Sequence, residues 1–158
     1  MKGLGKISLV CVAVLALSVS MLTACSGRLL GKKEPEKVVT LFNDNVIAER
    51  YMEAVNEYDH VIYEQVYMDW GGRSIGPTEY RFRGIVSLTD EEAERLWNEY
   101  DWEEKAAPEF EFGKVDMNAI GDGPWYSCNQ FNSDNYSTIV PYYTVFDGEK
   151  LVFDIHQT

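Results

Sequence analysis

Thr78-Glu79-Tyr80-Arg81-Phe82-Arg83-Gly84-Ile85-Val86-Ser87-Leu88, followed at once by Thr89-Asp90-Glu91-Glu92, decides the fold. Tyr80, Phe82, Gly84, Val86 and Leu88 alternate with Glu79, Arg81, Arg83 and Ser87, the period of two that sends successive side chains to opposite faces of a strand. Thr89 to Glu92 is a capping box: the Thr89 hydroxyl takes an orphan N–H of the first turn, and Glu92 reaches back to the Thr89 backbone. The helix that follows puts Ala93, Leu96, Trp97 and Tyr100 on one face and sets Glu91 four residues before Arg95, an ion-pair spacing.

Upstream, Ala48, Tyr51, Met52, Val55 and Tyr58 recur at helical spacing and predict a helix over residues 44–58. Val38 to Phe42 either extends that helix backwards or forms a short strand, its five residues being β-prone. From His60 the period returns to two, with Ile62, Glu64, Val66, Met68 and Trp70 opposed to Val61, Tyr63, Gln65 and Tyr67.

Downstream, residues 106–124 read as irregular, with a possible short strand at Phe110 to Phe112 and a Gly121-Asp122-Gly123-Pro124 turn. Trp125 to Phe131, Tyr136 to Phe146 and Leu151 to His156 read as three strands, separated by Asn132-Ser133-Asp134-Asn135 and by Asp147-Gly148. The Asp-Gly pair suits a type I′ hairpin turn, and Pro141, lacking an N–H, predicts an edge or a bulge in its strand. Most connections are too short for parallel crossovers. The expected class is therefore α+β, an antiparallel sheet of about five strands with two helices packed on one face.

The chain begins differently. Lys2 and Lys6 flank an uncharged apolar run from Ile7 to Leu22, short of the roughly 20 residues a membrane-crossing helix needs, and Leu22-Thr23-Ala24-Cys25 closes it with small residues before a cysteine. Here the sequence resembles the bacterial prolipoproteins, a resemblance confined to the first 26 residues. It implies cleavage after residue 24, a diacylglyceryl thioether on Cys25, and a membrane anchor of two acyl chains, which suffices for stable residence. It also implies an extracytoplasmic domain on the cell membrane, or on an outer membrane in a cell that has one. Residues 25–37, with Gly, Pro and the basic Arg28, Lys32 and Lys33, read as a tether; residues 38–158 read as a single domain.

Cleavage would remove Lys2 and Lys6 and no carboxylate, leaving 12 basic against 26 acidic side chains. Such a chain does not track nucleic-acid backbones, and an acidic surface favours a basic protein partner. Cys128 is the one other cysteine of the mature chain, so no disulfide within the domain is expected and the apolar core must carry stability.

No motif specifies a catalyst, a cofactor or a metal. Trp70-Gly71-Gly72-Arg73-Ser74-Ile75-Gly76-Pro77-Thr78 joins the two best strands without the Gly-Lys-Ser/Thr ending of a phosphate loop. Its Trp70, Arg73 and Ser74, with Tyr80 beyond, form the candidate binding set for a protein or an envelope glycan, to which exposed strand tyrosines would add rigid apolar area. Asp101, Glu103, Glu104, Glu109 and Glu111 lack the order of a calcium loop and read as a solvated acidic edge. His60 and His156 stand in no zinc pattern, and a triad of Ser127, His156 and an acid has no local signature. The expectation is a non-enzymatic binding module. The rival expectations are a carboxylate-dependent cell-wall hydrolase and a structural subunit of an envelope complex.

Overall fold

The computed structural model describes residues 34–71 and 79–157. Cys25, Arg73 and Ser74 lie outside them. Seven strands form one antiparallel sheet: β1 (Glu36–Phe42), β2 (Tyr58–Asp69), β3 (Tyr80–Leu88), β4 (Glu103–Lys105), β5 (Trp125–Ser127), β6 (Val140–Phe146) and β7 (Lys150–Gln157). Their order across the sheet is β1-β2-β3-β7-β6-β5-β4. Three helices accompany it, α1 (Val46–Tyr51), α2 (Asp90–Glu99) and α3 (Asn129–Asn135), with a 3-10 turn at Met117–Ala119. The α+β class and the antiparallel sheet stand as expected. The counts of five strands and two helices do not.

β1 and the three-residue β4 are the two added strands and α3 is the added helix; other elements change their bounds. Val38 to Phe42 is strand, paired along β2 from Glu36↔Asp69 to Phe42↔Tyr63, so the sheet begins two residues before the boundary expected at Val38. The helix expected over residues 44–58 spans six residues, because side chains from elsewhere end it: Asn135 Oδ1 accepts the Ala54 N–H at 3.0 Å, and Arg95 donates to the Ala54 carbonyl at 2.6 Å. The strand expected from Trp125 stops at Ser127, and the Asn-rich stretch read as a turn is α3. Asn and Ser favour turns in an isolated chain. Here Phe131, fully buried, and Asn135, whose main-chain and side-chain oxygens accept the Glu53 and Ala54 N–H groups, hold the helix.

Helices cover one face. Ile47, Ala48 and Tyr51 of α1, Ala93 and Leu96 of α2 and Phe131 of α3 join Val61, Tyr63, Val86, Leu88, Phe146, Leu151, Phe153 and Ile155 in the larger core. Thr89 caps α2 as expected, its Oγ1 accepting from the Glu92 N–H at 3.2 Å. The reciprocal half of the box is absent: the buried Glu92 carboxylate accepts from the Asn56 N–H and from Arg95. Arg95 pairs with Glu92 and Glu99, not with Glu91. Gly84 sits where a Cβ would come within 2.3 Å of the Ile62 carbonyl oxygen, so the close approach of β2 to β3 requires glycine there.

The other face is covered too, by the irregular chain of residues 106–124. Phe110, Phe112, Val115 and Ile120 pack on Ile62, Ile85, Tyr143, Val145, Val152 and Trp125 as a second core. Phe110 to Phe112 forms no strand. What holds this cover is a carboxylate. Glu64, with no exposed surface, accepts from the backbone N–H groups of Gly113 at 2.9 Å and Lys114 at 2.6 Å and from Arg83 Nε at 2.5 Å. Burial alone would raise its pKa. The Gly113 and Lys114 N–H groups and the Arg83 guanidinium outweigh that and hold it below the usual carboxylate range.

The β6–β7 hairpin forms as expected, but not with a type I′ turn. Gly148 alone has positive φ there (101°), while the Asp147 carboxylate accepts the N–H groups of Glu149 and Lys150. The bulge predicted from Pro141 is present, a register shift between Pro141 and Tyr143. No helix among the described residues is long and apolar enough to cross a membrane.

Replacing Glu64 by Gln should cost about 3–5 kcal/mol in urea denaturation, because it leaves buried Arg83 without its close counter-charge. A carboxyl whose folded pKa is depressed stabilises fully above its unfolded value of about 4.5 and loses that contribution as pH falls through the folded value. The acid limb of the stability profile should therefore be flatter in E64Q than in the wild type.

Candidate functional site

The cover over the second face stops short of one end of the sheet. Glu64, Arg83, Asp154 and Tyr143 lie opposite one another in a row across β2, β3, β7 and β6, roofed by residues 106–124. In the next row, Val66, Arg81, His156 and Val140 lie opposite one another in the same way. A cleft of about 460 Å³ opens there, lined by Lys37, Val66, Tyr67, Met68, Trp70, Glu79, Tyr80, Arg81, Tyr142 and His156.

Each lining group has a local cause. Arg81 is fixed by Asp154, which is almost fully buried: Arg81 Nε donates to Oδ1 at 2.7 Å and Nη2 donates to Oδ2. That two-pronged bond raises the guanidinium pKa and keeps the side chain charged and aimed. The bulge in β6 turns Tyr142 outward, where its ring meets His156 at 4.3 Å between centroids and lies 5.0 Å from the Arg81 guanidinium carbon. Tyr142 is 62% exposed and Trp70 55%. Tyr80 belongs to an aromatic row with Tyr67 and Phe82, at 5.6 and 6.2 Å, that continues into the helix-side core.

Behind the cleft, Tyr143 has its hydroxyl buried without a hydrogen-bond partner among the described residues. Burial, and then the Asp154 carboxylate, push its pKa up. His156 Nδ1 is likewise buried and unpartnered.

Of the residues expected to bind, Trp70 and Tyr80 meet in this cleft. Arg73 and Ser74 lie outside the described residues. Sequence reasoning did not place Lys37, Met68, Arg81 or His156 at a binding site. Arg81 and Met68 sit on strands whose alternation was legible, but which polar face would be roofed and which left open was not. Tyr142 is one of the strand tyrosines expected to add exposed apolar area, and the bulge decides that its ring faces outward.

The remaining candidates are dispersed. Asp101, Glu103, Glu104, Glu109 and Glu111 are all exposed, as a solvated edge requires. Ser127 lines a different, smaller hollow with Cys128, away from His156. Among the described residues no group of three or more His, Cys, Asp or Glu is poised to hold a metal. Comparison of the chain with known protein families, with characterised proteins and with solved structures finds no match. The functional reading rests on the cleft.

Trp70→Ala and Tyr142→Ala should each change unfolding stability by no more than about 1 kcal/mol, because both rings are largely in water. Tyr143→Ala should cost about 3 kcal/mol, since it empties part of the second core. Thermal and urea unfolding of the three variants separates the site from its support.

Proposed function

We propose that this chain is a lipid-anchored bacterial envelope protein whose domain is a non-enzymatic binding module, holding a protein or envelope glycan in the cleft at the open end of the sheet. The anchor reading is supported by the basic flank, the apolar run and Leu22-Thr23-Ala24-Cys25. The binding reading is carried by one observation. Of the eight large apolar side chains exposed among the described residues, four gather at this end of one face: Met68, Trp70, Val140 and Tyr142. Exposed rings around a fixed arginine offer rigid contact area at small entropic cost.

The carboxylates weigh against the hydrolase reading. Glycoside hydrolysis needs two carboxyl groups facing each other across the scissile bond, one of them with a raised pKa. Glu64 and Asp154, the buried carboxylates of this face, are each tied to an arginine, and Glu64 is held ionised. Glu79 is the one carboxylate among the described residues that line the cleft.

Cys25→Ser should move the protein from the membrane fraction to the soluble extracytoplasmic or medium fraction, and metabolic labelling with a fatty acid should be lost with it. A variant that stays in the membrane and keeps its label sinks the anchor reading. Wild-type protein should retain a defined component of envelope extract that the folded double variant W70A/Y142A does not. Equal retention by both would remove the cleft from the reading.

A further inference from the structure

Resting on the reading of this cleft as a binding site, we infer that its ligand is an uncharged glycan, a short stretch of neutral sugar rings, and not the basic protein that the acidic composition suggests. Among the described residues the lining carries two cations, Lys37 and Arg81. Arg81 is neutralised by Asp154 from beneath, and the Glu79 carboxylate, which also lines the cleft, offsets Lys37 in formal charge without pairing with it. The acidic excess of the chain, 26 carboxylates against 14 basic side chains, is therefore not expressed at this site. Among the described residues a charged ligand finds no net counter-charge here. A neutral one is not penalised.

The pattern of polar groups points the same way. Val66 and Met68 give an apolar floor, and Trp70 and Tyr142 give exposed rings at its edges. Around them stand donors, Lys37 and the Arg81 guanidinium, an acceptor, the Glu79 carboxylate, and the polar ring of His156. Lys37 lies opposite Met68 on β1, and Arg81 lies opposite Val66 on β3. Two strand spacings across the sheet and two residues along it separate them, about 12 Å from backbone to backbone. A sugar ring has an apolar face for stacking and a rim of hydroxyls that both donate and accept, which is the complement of this arrangement. A volume of about 460 Å³ falls in the range of small-ligand sites rather than of flat protein contacts. His156 Nδ1 is a buried polar atom without a hydrogen-bond partner among the described residues.

The test uses the full chain purified from membranes in detergent, titrated calorimetrically with three probes. The N-acetylglucosamine trimer and the glucose β-linked trimer are neutral, and the galacturonate trimer is their acidic counterpart. The inference expects at least one neutral trimer to bind, with Kd changing less than about twofold between 0.05 and 0.5 M NaCl, since screening acts on charge and not on stacking. Trp70→Ala and Tyr142→Ala should each weaken it at least tenfold, and Trp97→Ala, on the far side of the domain, should not. Preference for the acidic trimer, or a Kd that rises steeply with salt, overturns the neutral ligand while leaving the cleft reading intact, provided W70A and Y142A still weaken binding. Binding of no trimer, with envelope capture still lost in W70A/Y142A, overturns the glycan and favours a protein at the same cleft. Binding or capture indifferent to both substitutions overturns the glycan inference and the cleft reading together.

Discussion

A carboxylate without water must find its hydrogen bonds inside the protein, and Glu64 finds them in the backbone of residues 113–114 and in Arg83. That requirement organises one whole side of the molecule. Because the N–H groups of Gly113 and Lys114 are bound to the middle of β2, the irregular chain on either side lies against the sheet. Phe110, Phe112, Val115 and Ile120 then find apolar partners on β2, β3, β6 and β7. An isolated buried ion would cost several kcal/mol, so the pair and the cover stand or fall together.

The same arrangement makes the cleft. Where the cover ends, the next row of the same face lines the cleft, and it is built differently from the roofed row. Its arginine is bound from beneath by Asp154, the tyrosine beside it is swung out by a bulge, and beyond the buried Val66 the side chain of Met68 is exposed. Exposed aromatic area is not needed by either core, both of which are complete without Trp70 and Tyr142. Side chains that the fold can spare, held by groups that it cannot, are what a binding surface requires.

On the opposite side the helices are short, and long-range side-chain bonds do what helix length does elsewhere. α1 has six residues and no side-chain N-cap, well below the length at which a helix persists alone. Its exit is held by Asn135 from α3 and by Arg95 from α2, while Glu92 fixes the chain at Asn56. Three helices remote in sequence thus meet on one stretch of backbone at residues 54–56, and their apolar faces close over a single core.

Much of this was legible in the residues themselves. The alternation of Tyr80 to Leu88, the Thr89 cap, the bulge implied by Pro141 and the Asp-Gly hairpin are local effects, set by steric and hydrogen-bonding preferences within a few residues, and they appear where the pattern puts them. What the residues left open, as at Val38 to Phe42, or placed wrongly, as at Asn132 to Asn135, shares another cause. Val38 to Phe42 became strand because β2 offered it a partner, Asn129 to Asn135 became helix because Phe131 had a core to enter, and Glu92 left its own cap for Asn56. The candidate site divides the same way: Trp70 and Tyr80 could be singled out from their place beside a glycine-rich connection, whereas Arg81 and His156 could not. The strand pattern by itself determined that Arg81 and Arg83 share a face of their strand, and that Glu64 shares one with Ile62 and Val66 on its own. Only the tertiary structure decided that Glu64 and Arg83 are roofed and Arg81 is left open, because that depends on where a distant, irregular segment finds the acceptor its backbone N–H groups need.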